Sequence, residues 1–206
     1  MSFRIEKKFF IEESKYLDLL NLFNKKKILK IYNKRVVNSI YFENKHFDMF
    51  NHSEEGILPR KKIRLRWYGD TYLNNKLKIF KEIKINSIEG KFKISKEITF
   101  DKANILLKYG IFDKNYGLCK PKIKVCYQRQ YYAKHKKRFT IDKNINYLKY
   151  FDNSFKTKLS NKDNEIILEI KSNNIFENFD NNWTNIFVER RFSKYSRGVK
   201  SLKICK

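Results

Sequence analysis

The stretch that most constrains this chain is Lys61-Lys62-Ile63-Arg64-Leu65-Arg66-Trp67-Tyr68-Gly69. Lys62, Arg64, Arg66 and Tyr68 alternate with Ile63, Leu65 and Trp67. Successive side chains of a β-strand point to opposite faces, so the stretch predicts a strand with one apolar face and a file of cations on the other. Three like charges in one file repel unless an anion lies among them. Solvated strand charges are the plainer reading, and an anion-binding ladder is the sharper one.

The same alternation recurs along the chain. Phe3–Ile11 sets Glu6 and Lys8 against Phe9 and Ile11, and Glu13–Lys27 has Tyr16, Leu19, Leu20 and Phe23 at helical spacing with Ser14 as its cap. Arg35–Phe42 reads as a strand, and Glu43–Pro59 as a polar loop with a short helix around Phe47–Phe50. Turns at Asp70–Asn75 and Ser87–Gly90 separate further strands at Leu77–Ile85 and Lys91–Ile98. Asp101 is read as the cap of a helix over Ala103–Tyr109 that stops at Gly110. Strands follow at Lys122–Tyr132, Arg138–Asp142 and Glu165–Lys171, then a helix-like stretch near Asn178–Phe187. The sum is about eight strands, mostly antiparallel, with short flanking helices. No Pro- or Gly-rich linker divides the chain, so residues 1–206 are read as one domain. One apolar and one charged face per strand fits an open sheet with a wet side, and equally a closed barrel with its charges inside.

Charge narrows the partners. With 47 Lys+Arg against 22 Asp+Glu the net charge is +25, which points to an anionic partner: a phosphorylated molecule, polyphosphate, nucleic acid or an acidic membrane. Abundant Lys, Asn and Ile is also what an AT-rich genome produces, so the scarcer arginines at Arg60–Arg66, Arg129–Arg138 and Arg190–Arg197 carry more information. No RRM, KH or OB signature is visible, and nucleic acid is not expected. Cys119, Cys126 and Cys205 lack metal spacing and read as reduced thiols. No apolar run is long enough to span a bilayer and no signal sequence is visible, so the expected location is the cytoplasm.

Several short blocks, taken together, resemble a known family. Glu6-Lys7-Lys8-Phe9, Arg64-Leu65-Arg66-Trp67-Tyr68-Gly69, Glu82-Ile83-Lys84, Tyr127-Gln128-Arg129, Arg138-Phe139-Thr140-Ile141-Asp142, Leu168-Glu169-Ile170-Lys171 and Phe192-Ser193-Lys194-Tyr195 stand in the order of the VTC (vacuolar transporter chaperone) domain. That domain is the polyphosphate polymerase branch of the CYTH-like triphosphate tunnel metalloenzymes. The resemblance runs from about residue 3 to 200. It implies a mainly β (α+β) fold, a closed eight-stranded antiparallel β-barrel forming a triphosphate tunnel. It also implies transfer of the γ-phosphoryl group of ATP to a growing polyphosphate chain, with Mn²⁺ or Mg²⁺ as cofactor.

By motif, Lys8, Arg64, Arg66, Lys84, Arg129, Arg138 and Lys194 look like phosphate ligands, and Tyr127 and Ser193 like hydroxyl donors. Glu169 looks like the metal carboxylate. Lys91 or Lys93 supplies a further cation, and Arg191 falls where the family tends to carry one. The implied partners are ATP and inorganic polyphosphate or pyrophosphate, with a membrane-associated partner left open.

The chemistry is compatible. Phosphoryl transfer asks for positioning and charge neutralisation more than for a covalent nucleophile. Arg holds two phosphate oxygens in its planar fork, and Lys acts as a mobile point charge. A hard divalent ion bridging phosphates needs only one or two protein carboxylates. Glu6 and Glu82 are read as groups that orient lysines. Two rival readings remain: a metal-dependent tri- or nucleoside-triphosphatase of the same fold, and a non-catalytic binder of polyphosphate or nucleic acid.

Overall fold

The computed structural model describes residues 5–151, 154–172 and 186–205. They form β1 (Ile5–Ile11), α1 (Tyr16–Lys25), β2 (Leu29–Glu43), α2 (Asp48–Glu55), β3 (Arg60–Tyr68), β4 (Ile79–Ser87), β5 (Gly90–Ile98) and α3 (Phe100–Tyr109). Then come β6 (Ile111–Asp113), β7 (Gly117–Lys134), β8 (Lys137–Phe151), β9 (Ser154–Asp163), β10 (Ile166–Ser172), β11 (Val188–Glu189) and α4 (Lys194–Ser201). The protein is mainly β, with few and short helices.

The hydrogen-bonded order is β11-β1-β10-β8-β7-β2-β3-β4-β5, with β6 on β7 and β9 on β8. Among the described residues eleven strands stand where about eight are expected. The end strands β11 and β5 are not paired with each other among the described residues, so backbone hydrogen bonds there do not close the expected barrel. The chain divides into two compact units: Met1–Arg35, Tyr127–Ile145 and Asp163–Phe192 in the first, and Val36–Cys126, Asn146–Lys162 and Ser193–Lys206 in the second.

In the first unit β1 lies antiparallel between β10 and β11. Its odd residues Phe9 and Ile11 enter a core with Leu19 and Phe23 of α1, Phe139 and Ile141 of β8, and Leu168 and Ile170 of β10. Leu19 and Phe23 meet there because residues four apart share one helix face. The Phe23 ring stands edge-on to Tyr132 and Phe139, with centroids 4.8 and 5.6 Å away. Glu6 and Lys8 therefore occupy the opposite face of β1, as the alternation predicts.

In the second unit β2, β3, β4 and β5 make an antiparallel meander. Ile63, Leu65 and Trp67 pack into a core with Ile40, Phe42, Ile79 and Ala103, which leaves Lys62, Arg64 and Arg66 on the other face. The expected two-faced strand is present.

Several boundaries differ from the sequence reading. Strands β2, β7 and β8 each run well beyond the predicted stretches; the added start of β2, residues 29–34, is exposed and shows no sustained apolar alternation that would mark it in the sequence. The cap of α3 is Thr99, whose side chain accepts from the Lys102 backbone N–H at 3.3 Å, and not Asp101. Ser14 does not cap α1; it lies in a single 3-10 turn, Glu13–Lys15, that leads into the helix. The helix expected near 178–187 falls, except for its last two residues, outside the described residues.

Candidate functional site

Cross-strand register, which no single-strand pattern reveals, arranges the charged residues in rows. In the second unit Lys62, Lys84 and Lys93 form one row across β3, β4 and β5. Like charges directly opposite on a sheet destabilise it. The next row is Tyr41, Arg64, Glu82 and Ser95, and beyond it lie Ser39 and Arg66.

Glu82 is the common acceptor of this array and is only 4% exposed. It takes Arg64 Nε at 2.7 Å and Lys93 Nζ at 2.5 Å, with Arg66 Nε at 3.9 Å. Burial alone would raise its pKa, but the cations of Arg64 and Arg66 and the bonded Lys93 pull it down to about 2. Glu82 thus pairs with Arg64 from one neighbouring strand and Lys93 from the other. Arg66 also donates to Ser39 Oγ at 3.1 Å. Arg64 donates to the buried Tyr41 hydroxyl at 2.9 Å. Burial pushes the Tyr41 pKa up, yet Arg64 and Arg66 bring it to about 8.

Lys84 is exposed in the lysine row. Lys91 lies one row farther along, opposite Asn86, so of the two alternatives Lys93 is the one that joins the array. Ser193 caps α4: its hydroxyl accepts from the Ser196 N–H at 3.3 Å and from Lys62 Nζ at 2.8 Å. Lys194 follows as the first residue of that helix. Helix α4 is anchored by Tyr195, which donates to buried Glu43, and the same carboxylate accepts the backbone N–H groups of Asn44, Met49 and Phe50. Burial raises the Glu43 pKa against those hydrogen bonds.

The first unit carries the remaining residues. Glu6, Lys171 and Arg138 make one row across β1, β10 and β8; Lys8, Glu169 and Thr140 make the next. Lys8 Nζ lies 2.8 Å from Glu6 Oε1 and donates to the Phe192 carbonyl at 3.0 Å. Lys171 Nζ lies 2.6 Å from Glu169 Oε1 and 3.7 Å from Glu6 Oε2. Desolvation works against charge on both Lys8 and Glu169. Even so, Glu169 and Glu6 raise the Lys8 pKa, and Lys171, Arg129 and Lys8 hold Glu169 well below the usual carboxylate range.

Arg129 is gripped by Asp142 through two bonds of 2.6 and 2.7 Å, and its guanidinium carbon lies 5.2 Å from the centroid of the buried Tyr127 ring. Asp142 is fully buried, so this pair fixes the Arg129 fork. Arg138 and Arg191 are exposed.

The structure adds residues that the sequence reading did not assign. Lys62 was visible in the cation file, but its bond to Ser193, 131 positions away, has no local signal. Thr140, Asp142 and Lys171 stand in the motif blocks without an assigned role, and their neighbours, like those of Tyr41, are visible only in three dimensions.

Among the described residues no group of three or more His, Cys, Asp or Glu side chains converges to make a metal cage. The donor chemistry nevertheless suits a hard divalent ion. Glu169 and Glu6 already share one cation, Lys171, and the buried Thr140 hydroxyl in the Glu169 row has no hydrogen-bond partner. These are oxygen ligands of the kind Mg²⁺ and Mn²⁺ prefer, few enough to leave positions for phosphate oxygens.

Comparison with known proteins agrees with the residue pattern. Two solved structures share the fold across nearly the whole chain. One is a candidate adenylate cyclase from Bacillus halodurans, 11% identical, covering 99% of this chain and 92% of that one at a TM-score of 0.51. The other is HpAC1 from Hippeastrum, a candidate adenylyl cyclase described as having a dominant triphosphatase activity; it is 11% identical, covering 98% and 89% at a TM-score of 0.50. No curated protein matches the sequence. The VTC domain matches residues 3–116 and 99–203, and with the residues above in place the chain belongs to the VTC domain family.

Proposed function

We propose that this protein is an ATP-dependent polyphosphate polymerase with the tunnel-type architecture of its family. The observation that carries the reading is the Lys62–Lys84–Lys93 row, set beside Arg64 and Arg66 with Glu82 as their shared carboxylate. Five cations against Glu82 and the row-mate Glu97 still leave a surplus of positive charge that a polyanion relieves.

In the proposed reaction a terminal oxygen of the acceptor phosphate attacks the γ-phosphorus of ATP. The bond from that phosphorus to the β–γ bridging oxygen breaks, and ADP leaves with the electron pair. Arg64 and Arg66 supply planar forks for non-bridging oxygens, and the lysine row supplies adjustable point charges. Arg129, fixed by Asp142, and Lys8, Arg138 and Lys171 offer the same chemistry in the first unit. Lys194, Arg191, Tyr127 and Ser193 complete the set of proposed ligands. A divalent ion held by Glu169, with Glu6 and the Thr140 hydroxyl nearby, would neutralise phosphate charge and favour the in-line geometry.

The direct test is incubation with ATP and Mn²⁺ followed by a polyacrylamide gel stained for polyphosphate. A ladder with ADP supports the polymerase. Free phosphate without a ladder supports the second reading, a triphosphatase with water as acceptor, which the fold shared with HpAC1 favours. Absence of ATP consumption leaves a polyanion-binding domain.

A further inference from the structure

We infer that the part of the second unit formed by α3 and the β6–β7 hairpin is a docking surface for anionic phospholipid membranes. This inference does not depend on the polymerase reading.

Four large apolar side chains stand in water there: Ile105 (56% exposed), Tyr109 (59%), Phe112 (78%) and Leu118 (52%). Their placement follows from the two periodicities of the chain. Ile105 and Tyr109 are four apart on α3, on a stripe away from Ala103, Leu106 and Leu107, which pack on the core. Phe112 and Leu118 are directly opposed across the hairpin, while Ile111 and Cys119 beside them point into the core.

The helix stripe and the hairpin pair are joined. Between them stands Gly110, at φ +94°, where only glycine fits: a Cβ there would lie 2.6 Å from the Cys119 carbonyl oxygen and 3.1 Å from Leu118 Cδ1 and Lys120 Cδ. Lys120 Nζ also donates to the Lys108 carbonyl at 3.3 Å. The end of the helix is thus held against the strand that carries Leu118.

Charge selects the occupant. Lys102, Lys108, Lys114 and Lys120 are all exposed in this segment. Its two acids do not oppose them at the hairpin: Asp113 is buried against Lys61 Nζ at 2.9 Å, and Asp101 lies in the first turn of α3, at the far end from Gly110. Projecting apolar groups within lysines match the interface of an acidic bilayer. The rings and branched chains enter the acyl boundary, and the lysine stems follow them with their ammonium groups at the phosphates. A partner helix would need a groove, whereas a side chain as exposed as Phe112 is a projection. Among the described residues no helix is long and apolar enough to cross a membrane.

A chain of net charge +25 adsorbs to any acidic surface, so the test must separate insertion from adsorption. The whole chain is sedimented with vesicles of phosphatidylcholine alone and of phosphatidylcholine with phosphatidylserine. Wild type is expected to bind the mixed vesicles. The double variant Phe112→Ser/Leu118→Ser, with an unchanged circular dichroism spectrum, should lose at least about tenfold in partitioning, since two apolar anchors are removed without touching charge. Independently, Phe112→Trp should add a blue-shifted emission component on mixed vesicles that brominated acyl chains quench. Equal binding by the double variant overturns the inference in favour of adsorption by charge alone. An unshifted, unquenched Phe112→Trp signal overturns it too. So does a dimer that the double variant abolishes in a protein that ignores vesicles, which would assign the face to a second copy.

Discussion

Lys62 and Ser193 are joined by a 2.8 Å hydrogen bond, and the same serine oxygen caps α4 through the Ser196 N–H. One hydroxyl thus fixes a lysine of the cation row and starts a helix. Ser193→Ala is expected to cost about 1 kcal/mol, the usual worth of such a cap, read as a lowered urea midpoint. Ser193→Asn, which can still cap, should recover most of that loss. Equal midpoints for Ser193→Ala and wild type would show that the cap is dispensable.

Arg66 is nearly buried and held by Ser39. Arg66→Ala is expected to lower polyphosphate synthesis by about a hundredfold or more with the fold retained, as for loss of a preorganised charge at a reacting phosphoryl group. Arg66→Lys should recover little, because a point charge does not replace a two-oxygen fork. Near-normal turnover in Arg66→Ala would remove the assignment of this array to catalysis.

Glu82 predicts an acid limb in the stability curve. Its folded pKa of about 2 lies below the ordinary 4.5, so the folded state binds this proton less readily than the unfolded chain. The resulting stabilisation is fully present above about pH 4.5 and is lost as pH falls through about 2, at most about 3 kcal/mol. Urea unfolding at stepped pH should show Glu82→Gln less stable than wild type at neutral pH, with the gap closing between those values. A gap independent of pH would mean that Glu82 does not act through its charge.

Glu169→Gln tests the metal reading. Removing the charge that Lys171 pairs with at 2.6 Å should lower the stability, as for Glu82→Gln, but the variant should remain folded while its activity loses the response to added Mn²⁺. An unchanged metal titration would place the ion elsewhere.

Gly198 tests packing alone. A Cβ there would come within 2.8 Å of both Ile123 Cδ1 and Tyr147 Cδ1. Gly198→Ala should therefore destabilise by about 1–3 kcal/mol despite the better helix propensity of alanine, because both neighbours lie in a filled interior. Thermal unfolding decides it; a raised midpoint would mean that the helix shifts freely.

What the sequence reveals here is the faces of strands. The alternation in β1, β3 and β10 places Glu6, Lys8, Arg64, Arg66 and Glu169 on the faces they occupy, because a period of two depends on local backbone alone. Register depends on which strands meet, and that is decided by the whole core. Hence the Lys62–Lys84–Lys93 row and the Arg129–Asp142 grip become visible only in three dimensions. Helix α4 is hard to read for a different reason: in residues 194–201 its buried face shows only the apolar pair Tyr195 and Val199, Gly198 interrupts it, and the helix is anchored by Tyr195 on the distant Glu43.

The lysine row also bears on how much folded protein exists. Lysines opposite one another in register raise the free energy of the native sheet where Glu82, which pairs with Lys93, does not offset their charge, but not that of an expanded chain, where they move apart. A polyanion that binds only the native sheet lowers it twice, by new contacts and by cancelling that repulsion. Folded population and phosphate supply are then linked by mass action. For an anion that binds this row, scarcity would shorten the lifetime of the folded protein and plenty would protect it from unfolding and from proteases.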